Sequence, residues 1–214
     1  MDKKSALDPY ELTSASSTPR NRQPHMAQFF PARTTCRFDT PGERRLAERL
    51  EKKLEEDYLC WFNIPVGAKA LQPDFVLIHP LRGLLVLEVK DWKFDTIQSM
   101  DRNQAKIYVD GLLKTLKNPM LQARAYAMEV VTMLQRDPAL KQPVGSPHAG
   151  NLIMPFGWGV VLTAITRKQL EGTGLAEVLN PQQVLFQDEI TEAVDAEAFQ
   201  QRLWDMFNDI FPCN

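Results

Sequence analysis

Apolar positions along this chain change their period several times, and each change predicts an element. Leu46, Leu50 and Leu54 recur every fourth residue with Ala47 beside them and charged residues on the other faces, which predicts an amphipathic helix. Thr40-Pro41-Gly42-Glu43 supplies its start: a capping hydroxyl, a proline at the first helical position and a glutamate at the third. The same pattern carries the helix to about Asp57, and residues 58–66 then read as a strand. The run PDFVLIHPLRGLLVLEVKDW, Pro73 to Trp92, holds two apolar strands, about 74–79 and 84–90, around a turn at His79–Gly83. Between 93 and 117, Asp110-Gly111 is a two-residue turn signal that predicts a hairpin. Asn118-Pro119 caps a second helix with Leu121, Ala125, Met128 and Val131 or Thr132 on one side, ending before Asp137-Pro138. A long loop (137–151), a buried strand (157–165), a short helix (167–178) and a strand (184–187) follow. Asp195 caps a final helix holding Phe199, Leu203 and Phe207.

Helix, three strands, helix, strand predicts an α/β sandwich around a mixed sheet. A doubly wound nucleotide-binding fold lacks its signals, since neither G-x-G-x-x-G nor G-x-x-x-x-G-K-[ST] occurs. Residues 1–25 are polar, aperiodic and rich in Ser, Pro and Arg; they are expected to be a disordered tail or sequence foreign to the native protein, with Met26 as its start. Order is expected from near Thr40. Residues 26–214 then form one domain, with a core of about 40–165 and a C-terminal α/β extension over 166–214.

Composition narrows the function. The chain has 214 residues, 44% hydrophobic, enough to bury a core without disulfides. A net charge of −2 names no anionic partner, so a nucleic-acid substrate would have to be met by a local patch or a bound metal. Three widely spaced cysteines, Cys36, Cys60 and Cys213, fit neither a disulfide framework nor a zinc site; a reduced, cytoplasmic compartment is the simplest reading. No apolar run is long enough to span a membrane. Arg44, Arg45, Arg49, Lys52 and Lys53 are interleaved with glutamates and read as a solvated helix face.

The candidate chemistry lies in the central hairpin. Asp74 and Glu88 are symmetric about Leu81, the middle of the turn, so regular pairing places them opposite each other, with Cβ atoms roughly 4.5–5.5 Å apart. Two carboxylates at that distance at the end of a buried strand repel, and each takes up a proton unless a cation sits between them. A one-residue slip would send them to opposite faces. Glu88 and Lys90 share a face. Two acids and an ammonium would then converge in an oxygen-rich site that suits Mg²⁺ or Mn²⁺ rather than zinc. A hydrolase acting on a phosphodiester uses such a set. A structural salt-bridge cluster is the competing reading. Glu43 is equally explained as part of a helix cap, Asn118 as a cap, Gln122 as a solvated side chain and Trp92 as a packing residue.

The order Gly42-Glu43, Pro73-Asp74, Glu88-Val89-Lys90 resembles the signature of the PD-(D/E)XK nucleases, and within them the nuclease-related domain (NERD) family. That family is similar in its Gly-Glu start, its Asp before an apolar strand, its Gly-(apolar)-Glu-Val-Lys-(Asn/Asp)-Trp run, here Gly83–Trp92, and its Asn-Pro followed by Gln, here Asn118-Pro119 and Gln122. The resemblance covers about residues 40–135; Phe75 stands where the family often has His, and 93–117 is a longer insert. It implies a restriction-endonuclease-like core, a mixed β-sheet flanked by helices (αβββαβ), and a metal-dependent phosphodiesterase acting on DNA. It further implies that Asp74 and Glu88 bind Mg²⁺ or Mn²⁺ with the Val89 carbonyl, and that Glu43 reaches the site through water or a second metal. Lys90 would handle the water nucleophile and Gln122 support the site. The segment MAQFFPARTTCRFDTPGERRLAERL is similar to the front of longer bacterial proteins joining such a domain to a DNA helicase, which implies a helicase domain or partner. A non-catalytic nucleic-acid-binding or regulatory module of a helicase is the alternative.

Overall fold

A computed structural model of the chain describes residues 26–208; the expectations for residues 1–25 and the C-terminal Cys213 lie outside them. Nine strands and five α-helices are described. They run β1 (Gln28–Phe30), α1 (Pro41–Lys53), β2 (Leu59–Phe62), β3 (Phe75–His79), β4 (Gly83–Lys90), β5 (Ile97–Met100), β6 (Gln104–Val109), β7 (Leu112–Lys117) and α2 (Pro119–Leu134). There follow β8 (Phe156–Leu162), α3 (Arg167–Leu170), α4 (Leu175–Val178), β9 (Val184–Phe186) and α5 (Ala196–Asn208). The main sheet has the order β1-β2-β3-β4-β8-β9, and β5-β6-β7 form a separate three-stranded sheet. β2, β3 and β4 pair antiparallel, while β1 with β2, β4 with β8 and β8 with β9 are parallel. This is the expected mixed sheet flanked by helices, compatible with a restriction-endonuclease-like fold. None of the described helices is long and apolar enough to cross a membrane.

β4 is central and buried along nearly its whole length, so its two faces read as one apolar run. Leu85, Leu87 and Val89 point into a core shared with Leu46, Leu50 and Leu54 of the α1 segment and Phe199 and Leu203 of α5. Leu84 and Val86 point the other way, against Ala127, Val130 and Val131 of α2. Each such side chain contributes about 1.5–3 kcal/mol on burial, and this holds the carboxylate-bearing end of β4 in place.

Four local expectations are corrected. Order begins before Thr40: β1 pairs with β2, and Phe29 is 9% exposed against the α1 core. α1 stops at Lys53 rather than near Asp57, because Leu54 turns extended to bury its side chain, while Gln200 of α5 donates to the Lys53 carbonyl at 2.9 Å. The strand expected over 58–66 ends at Phe62. Asn63 takes a left-handed φ of 49°, and Pro65 has no N–H to give a ladder. α2 buries Ala123, Ala127, Val130 and Val131, whereas Leu121 and Met128 are 37% and 44% exposed. Small alanines let this helix approach β4 and β8 closely, so the buried stripe is not the one marked by the largest side chains.

The predicted Asp110-Gly111 turn joins β6 and β7, with φ values of 53° and 76° at its two central residues. Positive φ at both positions is the geometry that matches strand twist in a two-residue hairpin. The additional strand β5 was not legible in the sequence.

Candidate functional site

The β3/β4 register pairs Phe75 with Leu87 and His79 with Gly83, which continues to Asp74 opposite Glu88. No slip occurs, so both acids belong to the face that α2 covers. Asp74 Oδ2 accepts a hydrogen bond from the Val89 N–H at 2.6 Å, fixing the carboxylate across the end of β4. Lys90 Nζ lies 2.5 Å from Glu88 Oε1 and 6.0 Å from the Trp92 ring centroid. Glu88 is 2% exposed, and its other oxygen, Oε2, is buried without a hydrogen-bond partner among the described residues.

Electrostatics single out the same pair. Burial, then the charge of Glu88, pushes the Asp74 carboxyl up to about 7, against the opposing pull of the Val89 N–H and Lys90. Burial likewise raises Glu88, which the Lys90 ammonium partly counters; Glu43 adds repulsion and Lys117 a smaller attraction. A buried carboxylate oxygen with no partner beside a carboxyl held above its usual range is short of positive charge. The donor set, two carboxylates and backbone oxygens, therefore fits a divalent cation.

Glu43 arrives from the start of α1. Thr40 caps that helix by accepting from the Glu43 N–H at 3.2 Å, and the Glu43 carboxylate accepts from the Asp39 N–H at 2.9 Å and the Thr40 hydroxyl at 3.2 Å. The cap expected from sequence thus forms. Glu43 also faces a cleft of about 410 Å³ whose wall includes Asp39, Asn63, Gln72, Asp74 and Tyr126. Glu88 and Lys90 are not on that wall. Val89 buries its side chain in the α1 core between them. Gln122 is not on the cleft wall either: its amide donates to the Tyr126 hydroxyl at 3.0 Å, so it supports a residue that is. Asn118 caps α2 and is buried, accepting from the Met120 N–H at 2.8 Å.

Two residues went unassigned in the sequence. Asp91 Oδ2 accepts from the Gly42 N–H at 2.8 Å, and its Oδ1 accepts from the Thr163 hydroxyl and lies 3.9 Å from Arg45 Nη2. Asp91 therefore ties the Glu43-bearing helix to the end of β4. A Cβ on Gly42 would stand 1.7 Å from Asp91 Oδ1 and 2.5 Å from Thr163 Oγ1, so the close approach requires glycine. The adjacency of Asp91 to Lys90 was the available signal; Thr163 offered none.

A separate cluster, Glu55, Asp57 and His79, gathers its ligand atoms within 4.8 Å at the other end of β3. Both ring nitrogens of His79 are engaged, Nδ1 accepting from the Leu81 N–H at 3.1 Å and Nε2 lying 3.0 Å from Asp57 Oδ2. It forms no part of the candidate site.

Comparison with curated proteins and with solved structures finds no match. The family model described as nuclease-related domain matches residues 39–149, which spans α1 through the long loop after α2 and contains Glu43, Asp74, Glu88, Lys90 and Gln122. That match takes in more than half of the 214 residues, and the chain belongs to the nuclease-related domain (NERD) family.

Proposed function

We propose that this protein is a metal-dependent deoxyribonuclease, hydrolysing phosphodiester bonds in DNA with Asp74, Glu88 and Lys90 at its centre. The observation that carries the reading is the unpartnered, buried Glu88 Oε2 beside Asp74, whose carboxyl is held near 7. Asp74, Glu88 and the Val89 carbonyl would hold Mg²⁺ or Mn²⁺. Such an ion, when bound, polarises a phosphoryl oxygen and makes water a stronger nucleophile. The chain supplies the rest. Glu88 holds the Lys90 ammonium by a charge-assisted contact of 2.5 Å, keeping it oriented to position the attacking water and to meet charge developing on the phosphate. Glu43 faces the cleft at the start of α1, where it adds acceptor oxygens for water or a second ion. Gln122 fixes the Tyr126 hydroxyl on the cleft wall.

The test is nicking of circular plasmid DNA with Mg²⁺ or Mn²⁺ and with a chelator. Wild type is expected to cut only with the ion. Glu88→Ala and Lys90→Ala, checked for folding by circular dichroism, are expected to lose about 10²–10³-fold in rate, the scale of removing one preorganised electrostatic group. Folded variants that cut like wild type would sink the assignment. Wild type that binds DNA but cuts it with neither ion would favour the non-catalytic helicase-associated module instead.

A further inference from the structure

In the three-stranded sheet beside the site, β6 alternates between a packed and an open face, while β7 is exposed along its whole length. Ala105 and Ile107 of β6 are fully or almost fully buried, and Ile97 and Met100 of β5 pack on the cluster around Ala123 and Val160. The opposite face follows from the cross-strand pairs: Gln104 with Lys117, Lys106 with Thr115, Tyr108 with Leu113. All six are exposed, Tyr108 at 45% and Leu113 at 47%. This face of β6 and β7 carries Lys106 and Lys117 and not one acidic residue, in a chain whose net charge is −2; Lys114, paired with Ile107, belongs to the other face.

This face is continuous with the candidate site. β7 runs directly into the capped start of α2, and Asn118 ties the two together: its N–H donates to the Asn103 carbonyl at 2.9 Å and its side-chain amide to the Asp101 carbonyl at 2.8 Å. Lys117 stands at that junction, close enough for its charge to act on Glu88. Moving outward, the rows recur every second residue, about 6.8 Å apart, which is the scale of one extended nucleotide. A lysine row, a second lysine row and then an aromatic platform form the arrangement that binds a single strand: cations for the backbone and a ring for the face of any base. Duplex DNA buries its base faces and offers nothing for Tyr108 to stack on.

We infer that this face is a track for single-stranded DNA leading to the site, with Lys117 and Lys106 meeting successive phosphates and Tyr108 stacking a base. The inference rests on the nuclease reading and specifies its substrate class.

The experiment is fluorescence anisotropy of the full chain with a labelled single strand of about 12 nucleotides and with the matching duplex, in chelator so that nothing is cut. The single strand is expected to bind more tightly. Tyr108→Ala should weaken it at least about fivefold and Tyr108→Phe should restore it, since stacking needs only the ring. Lys106→Ala should lower the slope of log affinity against log salt by about 0.7. Lys52→Ala, a basic residue at the far end of α1, should change neither. All these side chains are exposed, so the fold is not at stake. Binding of neither probe, preference for the duplex, or unchanged affinity in Tyr108→Ala would overturn the track, including the case where the outer edge of β7 serves a protein strand instead. Plasmid nicking with Mg²⁺ is scored separately. A chain that cuts but binds independently of Tyr108 loses the track and keeps the nuclease; one that binds through Tyr108 and never cuts does the reverse.

Discussion

Replacing Asp74 with asparagine isolates the charge that burial makes costly. Its carboxyl rises from 3.8 to about 7, chiefly through burial and then through Glu88. The native state therefore keeps the proton to higher pH than the unfolded chain does. Stability contributed by this group is present below about 4 and is lost as pH climbs to about 7, beyond which it is flat. The rise corresponds to a ceiling of about 4 kcal/mol of destabilisation at pH 8. Asparagine keeps an oxygen to accept from the Val89 N–H but brings two amide protons; Glu88 Oε2 beside it can take one, and burying the other costs roughly 1–3 kcal/mol. In chelator at pH 8, Asp74→Asn is thus expected to be more stable than wild type by about 1–3 kcal/mol, or about 2–12 °C in melting temperature for a chain of this size. At pH 4 the advantage should vanish. Saturating Mg²⁺ or Mn²⁺ should reverse the order, because wild type gains about 4.1 kcal/mol at a thousandfold excess over Kd while the variant, lacking a ligand charge, gains little. Thermal melts followed by circular dichroism across pH 4–8, with and without the ion, measure all three effects. Identical pH profiles for the two proteins, or equal stabilisation of both by the ion, would refute the reasoning.

Three further outcomes are expected. Gly42→Ala forces Asp91 off the start of α1; the lost charge-assisted bond outweighs the helix propensity gained, for a net cost of about 1–2 kcal/mol by urea denaturation, with plasmid cutting reduced because Glu43 shifts. Phe29→Ala should cost about 3–5 kcal/mol in the same assay, as a buried aromatic of β1, whereas a domain that began at Thr40 would not notice it. Lys90→Met removes the cation that counters Glu88, so the metal-free protein should lose stability as pH rises more steeply than wild type does, read from melts in chelator.

The path from residues to site was legible where chemistry is local. Thr40, Pro41 and Glu43 marked the start of α1 because capping involves atoms only a few residues apart, and Asp110-Gly111 marked a hairpin because its turn geometry demands those residue types. The facing of Asp74 and Glu88 was also within reach, since a short hairpin carries its register along both strands. β1 escaped notice because three residues carry no period of their own and become a strand only by pairing with β2. The buried stripe of α2 was misread because alanine declares no side in a sequence; only the approach of β4 and β8 selects Ala123 and Ala127.

The sequence by itself determined the order of the elements from α1 to β4, the identities of the two acids and the lysine, and a hairpin in which regular pairing sets the acids opposite each other. Tertiary structure alone decided that Glu88 Oε2 is sealed from water without a partner and that Asp91 locks the Glu43 helix to the end of β4. It also decided that Lys106, Lys117 and Tyr108 share one exposed face, with Lys117 near enough for its charge to act on Glu88. The physical reason is that hydrogen-bond patterns within turns, caps and hairpins are set by near neighbours, whereas desolvation and charge repulsion depend on everything packed around a group. That environment is assembled from segments far apart in the chain.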